Sequence, residues 1–346
     1  MTAQPIAPLL GVRRSGVTDR ARIAEFVANH PDATPFHAPE WGEAVAAGCG
    51  QRAHWLIAER ADGAIAGVLP LVEMRSPLFG RALVSSGFAV DGGVLGDGVD
   101  ALASGARELA RELACPSVEL RGGVPPAGWA VDDASYLGFA RPIAADDEKE
   151  LLAIPRKQRA EVRKALANDL TVTVGRDADA ARAHYAVYAE SVRNLGTPVF
   201  PGALFREVLA RMDADVLTVR HQGRAVASVL SLYWRGTVYP YWGGGTESAR
   251  GLRANDRMYF ALMAHARERG CARFDFGRSK VGTGAAAFKK NWGFDAVPLS
   301  YASWSEGPKR EVNPLNPKYA LMVRTWQKLP LPVANMLGPW ISRGLG

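Results

Sequence analysis

One order of elements is read twice along this chain of 346 residues, and it constrains the fold more than any single motif does. The order is helix, hairpin, strand running into glycines, helix, strand. In the first pass, Pro39 opens a helix over 39–47, as suits proline in a first helical turn. Strands at 54–58 and 65–74 flank the turn Ala61-Asp62-Gly63-Ala64. A strand over 83–90 runs into Asp91-Gly92-Gly93, and a helix over 101–113 and a strand over 118–120 follow. In the second pass a helix spans 180–194, and strands at 216–220 and 225–233 turn around Gln222-Gly223. A strand at 237–242 then ends in Gly243-Gly244-Gly245-Thr246, followed by a helix over 256–269 and a strand over 271–276. The duplication lies in pattern, not in residue identity. Two α/β units of roughly 150 residues fit the length.

The expected boundaries are 1–149 for the first unit, 150–311 for the second and 312–346 for a tail. Residues 144–154, polar and acidic, read as the linker. Residues 122–135 read as loop, and 297–304 as the last strand. Charge divides along the same line. Residues 1–149 hold 13 Lys and Arg against 19 Asp and Glu, a net of −6; residues 150–346 hold 29 against 16, a net of +13. A half this basic points to an anionic partner: a phosphorylated cofactor, tRNA, a nucleotide-linked sugar or a membrane surface. Three scattered cysteines, Cys49, Cys115 and Cys271, argue against a disulfide framework or a cysteine metal site and suit a reducing cytoplasm. No metal is expected. Neither a signal-peptide apolar core nor an apolar run near the roughly 18 residues of a membrane span is seen.

The stretch FDFGRSKVGTGAAAFKKNWGF, 274–294, concentrates the candidate chemistry. It reads as a buried strand stopping at Gly277, a glycine-rich loop, and a short helix carrying Lys289 and Lys290. Asp275 at the strand end lies beside Arg278, Lys280 and glycines that let backbone N–H groups approach an anion. Asp275 can equally cap the next turn. Upstream, Pro155 opens a basic helix in which Arg156, Arg159 and Arg163 share one face. In the first half, His37 with Glu40 and Trp41 is a further candidate, for substrate contact or for capping and packing. The tail from 313 carries Lys318, Arg324, Lys328 and Arg343, with no acid after Glu311, among many apolar residues. It reads either as packing on the protein's own surface or as a peripheral contact with the inner membrane.

Taken together, FHAPEW (36–41), GVLPLVEMRSPLFG (67–80), LLAIPRKQRAEVRKA (151–165), ESVRNLGTPVFP (190–201), YWGGGT (241–246), FDFGRSKVGTG, FKKNWGF and VNPLNPKYAL (312–321) resemble one family. This is the FemAB family of peptidoglycan aminoacyltransferases with its BioF2-like relatives, and the likeness is greatest to the FemAB-like proteins of exosortase/PEP-CTERM systems. The resemblance covers nearly the whole chain. It implies two tandem N-acetyltransferase-like (GNAT) domains of α/β type, with mixed sheets flanked by helices. It also implies transfer of an acyl or aminoacyl group to an amine or hydroxyl in exopolysaccharide or cell-envelope assembly. Donors in such families are aminoacyl-tRNA or acyl-CoA; acyl carrier protein is a further expectation. Acceptors are small molecules or glycans. No bound cofactor and no DNA partner are expected. Arg250-Gly251-Leu252-Arg253-Ala254-Asn255 stands where these proteins carry a pyrophosphate loop, and matches its pattern only in part.

Acyl transfer needs a deprotonated acceptor, a stabilised oxyanion and an anchored donor. On this reading, backbone N–H groups near Tyr241, Gly243, Gly244, Gly245 and Thr246 polarise the acyl carbonyl. Arg250, Arg253, Asn255, Lys280, Lys289 and Lys290 hold donor phosphates, and Arg156, Arg159 and Arg163 face an acidic acceptor. Asp275 is the candidate base, the group orienting Arg278, or half of a structural ion pair; in the last case transfer relies on the substrates. A second class of reading is a non-catalytic GNAT pair that binds an anionic glycan or RNA.

Overall fold

The structure, a computed structural model, describes residues 10–307 and 317–346, the side chains of 317–320 excepted. Two compact units emerge. Unit 1 comprises Met1–Asp132, Ser300–Arg310 and Gly344–Gly346; unit 2 comprises Asp133–Leu299 and Glu311–Arg343.

Unit 1 runs β1 (Gly11–Arg14), α1 (Arg20–Asn29), α2 (Pro39–Cys49), β2 (Arg52–Glu59), β3 (Ile65–Ser76), β4 (Gly80–Ser85), β5 (Leu95–Gly96), α3 (Val99–Glu112), β6 (Ser117–Arg121) and β7 (Ala130–Asp132). Unit 2 runs β8 (Tyr136–Pro142), α4 (Asp147–Ala153), α5 (Arg156–Ala167), β9 (Thr171–Gly175), α6 (Ala178–Asn194), α7 (Gly202–Arg211), β10 (Ala214–His221), β11 (Arg224–Trp234), β12 (Thr237–Gly245), α8 (Ala249–Leu252), α9 (Ala254–Glu268), β13 (Arg273–Lys280), α10 (Gly284–Asn291) and β14 (Ala296–Pro298). The chain then gives β15 (Tyr301–Ser305) to unit 1, and α11 (Pro317–Lys328) and α12 (Leu331–Ser342) to unit 2.

The two sheets share one topology. Unit 1 orders its strands β1-β2-β3-β4-β6-β15-β7, and unit 2 orders them β9-β10-β11-β12-β13-β8-β14. In each, three antiparallel pairings lead to one parallel pair, β4 with β6 and β12 with β13, and two antiparallel pairings close the sheet. The sixth strand is out of sequence order both times. It is β15, after unit 2, in the first sheet, and β8, before the rest of unit 2, in the second.

Helices cover the sheets through apolar faces at spacings of three and four. In unit 1, Leu102, Ala106, Leu109 and Ala110 of α3 pack with Leu56, Leu69, Leu83 and Val118. In unit 2, Met258, Leu262 and Ala266 of α9 pack with Val229, Val238, Phe274 and Phe276. Each fully buried Leu or Phe stabilises by roughly 1.5–3 kcal/mol.

Several sequence expectations are corrected here. The linker read at 144–154 holds α4. Its Glu150 is fully buried and accepts from Arg141 at 2.5 Å and from the Ala144 N–H at 2.8 Å. The strand read at 83–90 ends at Ser85, so Asp91-Gly92-Gly93 lies beyond it in irregular chain. The loop read at 122–135 contains β7. Gly243 to Gly245 continue β12, each paired with β11, and do not form a turn. Gly277 does not stop β13, which runs on to Lys280. The strand read at 297–304 is two strands in two sheets. The Leu299 N–H bonds to Tyr136 in unit 2, and the Ser300 carbonyl accepts from Gly122 in unit 1.

Candidate functional site

The parallel pair β12–β13 is where unit 2 departs most from a regular sheet. The two strands pair only at Thr237 with Arg273 and Val238 with Phe274. Beyond that, β12 stays with β11 as far as Gly245, while β13 stays with β8 as far as Lys280. Both strands bulge at the parting. On β12, Tyr241 is an extra residue between Pro240, opposite Ser231, and Trp242, opposite Leu230. On β13, Phe276 and Gly277 lie between Asp275, opposite Ala140, and Arg278, opposite Gly138. Gly277 has φ of +65°, open to glycine at little cost. A bulge bends its strand and sharpens its twist, so two bulges beside each other turn the strand ends apart.

The three glycines of β12 are set by what lies over each face. A Cβ on Gly243 would meet the Tyr259 hydroxyl at 3.2 Å, one on Gly244 the Ser191 Oγ at 2.3 Å, and one on Gly245 the Asn255 Oδ1 at 2.7 Å. Helix α6 supplies Ser191 and helix α9 supplies Tyr259 and Asn255, so glycine lets both helices close onto the strand. Beneath α6, His184 is fully buried; its Nδ1 lies 3.1 Å from Ser228 Oγ, which lies 3.2 Å from Thr218 Oγ1. Burial pushes His184 down to about 3, so it is neutral at physiological pH.

On β13, Asp275 Oδ1 accepts from the Gly277 N–H at 2.8 Å and so braces the bulge. Lys289 reaches back from α10. Its ammonium donates to the carbonyls of Arg278 at 2.9 Å and Gly277 at 3.2 Å, and lies over the rings of Phe139 and Phe276. Burial lowers Lys289 to about 8, with Asp275 opposing and Arg278 reinforcing the shift. The Arg278 guanidinium stacks over Tyr136 at 4.8 Å. The Lys280 carbonyl accepts from Thr283 Oγ1, which caps α10. Thus Asp275, Arg278 and Lys289 gather at one bulge, while Tyr241 stands at the other.

The cations assigned to phosphates behave differently from one another. Arg253 caps α9 with φ of +56°, and its Nε donates to Glu161 at 2.6 Å while its Nη1 donates to the Arg250 and Gly251 carbonyls at 3.1 Å. Arg159 of α5 turns back to the end of α4, donating to the Leu152 and Ile154 carbonyls. Arg156, Arg163, Arg250 and Lys290 are exposed. Thr246 bonds Val226 and Ser248 beside the α8 start. Asp256, which the sequence reading passed over, accepts from Gln158 at 2.5 Å, and burial raises it to about 6. Tyr259, Ser191 and Asp256 carry no local signal in sequence; only the packing of α5, α6 and α9 brings them here.

His37 and Trp41 lie in unit 1, and both are interior. His37 is 3% exposed, and its Nδ1 accepts from the Thr34 N–H at 3.1 Å. Trp41 donates to the Gly87 carbonyl at 3.0 Å. Both side chains thus make interior contacts within unit 1.

Residues 156–290 match the model of the acetyltransferase (GNAT) domain. No curated protein matches the chain. Among solved structures, FemX is similar over 84% of this chain and 96% of its own, at 17% identity and a TM-score of 0.65. The C-terminal domain of a putative lysylphosphatidylglycerol synthetase from Agrobacterium fabrum is similar over 84% and 92%, at 16% identity and a TM-score of 0.56. A tandem GNAT protein from the clavulanic acid biosynthesis pathway is similar over 87% and 100%, at 14% identity and a TM-score of 0.54. At these identities the likeness is one of fold. The chain folds as two GNAT-like units in tandem, and the match to the acetyltransferase domain lies within the second.

Proposed function

We propose that unit 2 transfers an acyl or aminoacyl group from an activated donor to an amine or hydroxyl acceptor, at the parting of β12 and β13. The carrying observation is that parting, two bulged strands whose ladder ends at Val238, inside the segment that matches an acetyltransferase domain. A planar acyl group enters between strands as a further strand would, with its carbonyl toward main-chain N–H groups of Tyr241 to Gly245. The acceptor nitrogen or oxygen attacks the carbonyl carbon. The bond to the donor's sulfur or oxygen breaks, and the acceptor's proton leaves with the departing group or water. Lys289, charged at neutral pH and fixed by two carbonyls, stabilises the negative charge that builds on donor oxygen or sulfur. Asp275 and Arg278 hold the bulge from which Lys289 is hung; Asp275, already accepting an N–H, serves as an orienting group in preference to a base.

The donor is acyl-CoA, acyl carrier protein or aminoacyl-tRNA, and the acceptor belongs to envelope or exopolysaccharide assembly on the cytoplasmic side. The motif set 36–41, 151–165, 241–246 and 274–294 supports placement with FemAB-like proteins of exosortase systems. The catalytic unit is assigned to unit 2 as a whole, because β8 brings Tyr136 against Arg278 and Phe139 against Lys289. The rival reading, a non-catalytic binder of anionic glycan or RNA, is weakened because Arg159 and Arg253 spend their donors internally.

A thermal-shift series with acetyl-CoA, longer acyl-CoAs, acyl carrier protein and aminoacyl-tRNA tests the donor. One of them is expected to raise the melting temperature, and Lys289→Ala to abolish transfer from that donor to an amine panel. If no donor shifts the protein at about 100 times a plausible dissociation constant, where roughly 2.7 kcal/mol of stabilisation is due, the acyltransfer reading fails.

A further inference from the structure

The tail raises a separate question, because α12 carries apolar side chains on its outward face as well as on its inward one. From Leu331 to Ser342 it contains no charged residue. One stripe, Ala334, Gly338 and Ser342, is buried: Gly338 lies against Val199, and Ser342 donates to the Val199 carbonyl at 2.7 Å. The opposite stripe, Pro332, Met336, Leu337 and Trp340, faces out, with Met336 71% and Trp340 48% exposed. A surface helix ordinarily turns polar residues to solvent, and this outward stripe has none. Helix α11 continues the outward surface with Leu321, 74% exposed, and Met322, 64% exposed. On α11, Leu321 shares its face with the exposed Arg324 and Lys328, three and seven residues on.

We infer that the outward faces of α11 and α12 are a docking surface for an anionic phospholipid bilayer. Charge selects this occupant. From 312 to the end of the sequence there is no Asp or Glu, while Arg324 and Lys328 flank the apolar side chains. In a two-fold interface a second copy of the chain would bring the same acid-free segment to this face, with no carboxylate to meet these cations. A bilayer supplies both needs on one surface: acyl chains for Met336, Leu337 and Trp340, and headgroup phosphates for the two cations, whose stems can lie along apolar surface. The helices lie on the membrane and do not span it. Each has 12 residues, about 18 Å against a hydrocarbon core of roughly 30 Å, and among the described residues no helix is long and apolar enough to cross. Both helices pack on α6, the helix whose Ser191 lies over Gly244, so docking holds the β12 site beside the headgroups. The inference stands whether or not that site transfers an acyl group.

The test is sedimentation of the full chain with vesicles of phosphatidylcholine alone or with added phosphatidylglycerol, at low and high salt. Partition should require phosphatidylglycerol and weaken with salt. Arg324→Glu with Lys328→Glu should lower it at least about tenfold, and Met336→Ser with Trp340→Ser by a similar factor. Unchanged melting temperatures keep these readings interpretable, since every altered side chain is exposed. The inference is overturned if the natural chain ignores anionic vesicles, or if either double variant partitions as it does. It is overturned equally if sedimentation velocity shows a dimer that Trp340→Ser dissolves while vesicles bind nothing, for then a second copy covers the face.

Discussion

Lys289 is the residue whose environment says most about its task. Two carbonyls hold its ammonium, two aromatic rings exclude water from it, and the resulting desolvation brings it down to about 8. The stability consequence has a definite sign. The folded-state value lies below that of an unfolded lysine, so between about pH 8 and the ordinary lysine range the unfolded chain binds more protons, and stability rises with pH. Burial raises Cys115 to about 11, which works the other way over part of this range, so Lys289 is read by difference: the denaturant midpoint of the natural protein should gain on that of Lys289→Met as pH rises. For catalysis the sign is opposite. If the ammonium stabilises the departing group, kcat/KM toward a hydroxyl acceptor falls as pH passes about 8, and Lys289→Arg, charged throughout, abolishes that limb. A rate that instead rises through pH 8 would make Lys289 the base and sink the assignment given above. Sequence reading could name Lys289 as a cation near the site, but its burial depends on Phe139, which arrives from a strand 150 residues earlier in the chain.

At the scale of elements, the packing of α6 and α9 onto β12 explains why three glycines occur together in an extended strand. Reading them as a turn was reasonable, since consecutive glycines weaken strands. What overrides that propensity is the approach of two helices, which the local sequence does not encode. Gly244→Ala drives a methyl to 2.3 Å from Ser191 Oγ and should cost about 1–3 kcal/mol. Adding Ser191→Gly removes the obstructing side chain and should return most of the loss, whereas the same change alone gives no gain. A double-mutant cycle in urea with a coupling near zero would show that α6 does not set these glycines. Helix α4 offers a second case. Its acidic composition suggested a linker, yet Glu150 is sealed in the interior with Arg141 and the Ala144 N–H. Glu150→Ala strands Arg141 and should lower stability by about 3 kcal/mol, read as a fall in denaturant midpoint with unchanged slope.

The whole molecule is organised by strand orders that pattern alone conceals: the first sheet takes in β15 from beyond unit 2, whereas the second takes in β8, the first strand of its own unit. Hydrophobic periodicity recovered the duplication because each unit repeats the same helices and strands over a similar length. It missed β7 and β8, which are short or lie in stretches dominated by turn residues, and it ran β14 and β15 together because nothing at Leu299-Ser300 marks a change of sheet. The consequence for folding is asymmetric. Every strand of the second sheet lies between 136 and 298, so a chain of 133–343 carries that sheet complete. A chain of 1–132 does not carry its own. It lacks β15, which pairs five residues with β6 and three with β7 and lies between them. It also loses the Tyr301 hydroxyl bond to Val90 at 2.7 Å and the stacking of Arg111 on Trp304. The β6 edge, with Val118 and Leu120 beside it, is then left as an open apolar strand, the kind that recruits other chains. We expect 133–343 to unfold cooperatively in urea and 1–132 to be insoluble or without a transition. Joining 300–307 to 1–132 through a flexible linker should restore cooperativity and slow amide exchange in β6. A stable, monomeric 1–132 would mean that β15 is an accessory to the first unit and not a strand its sheet requires.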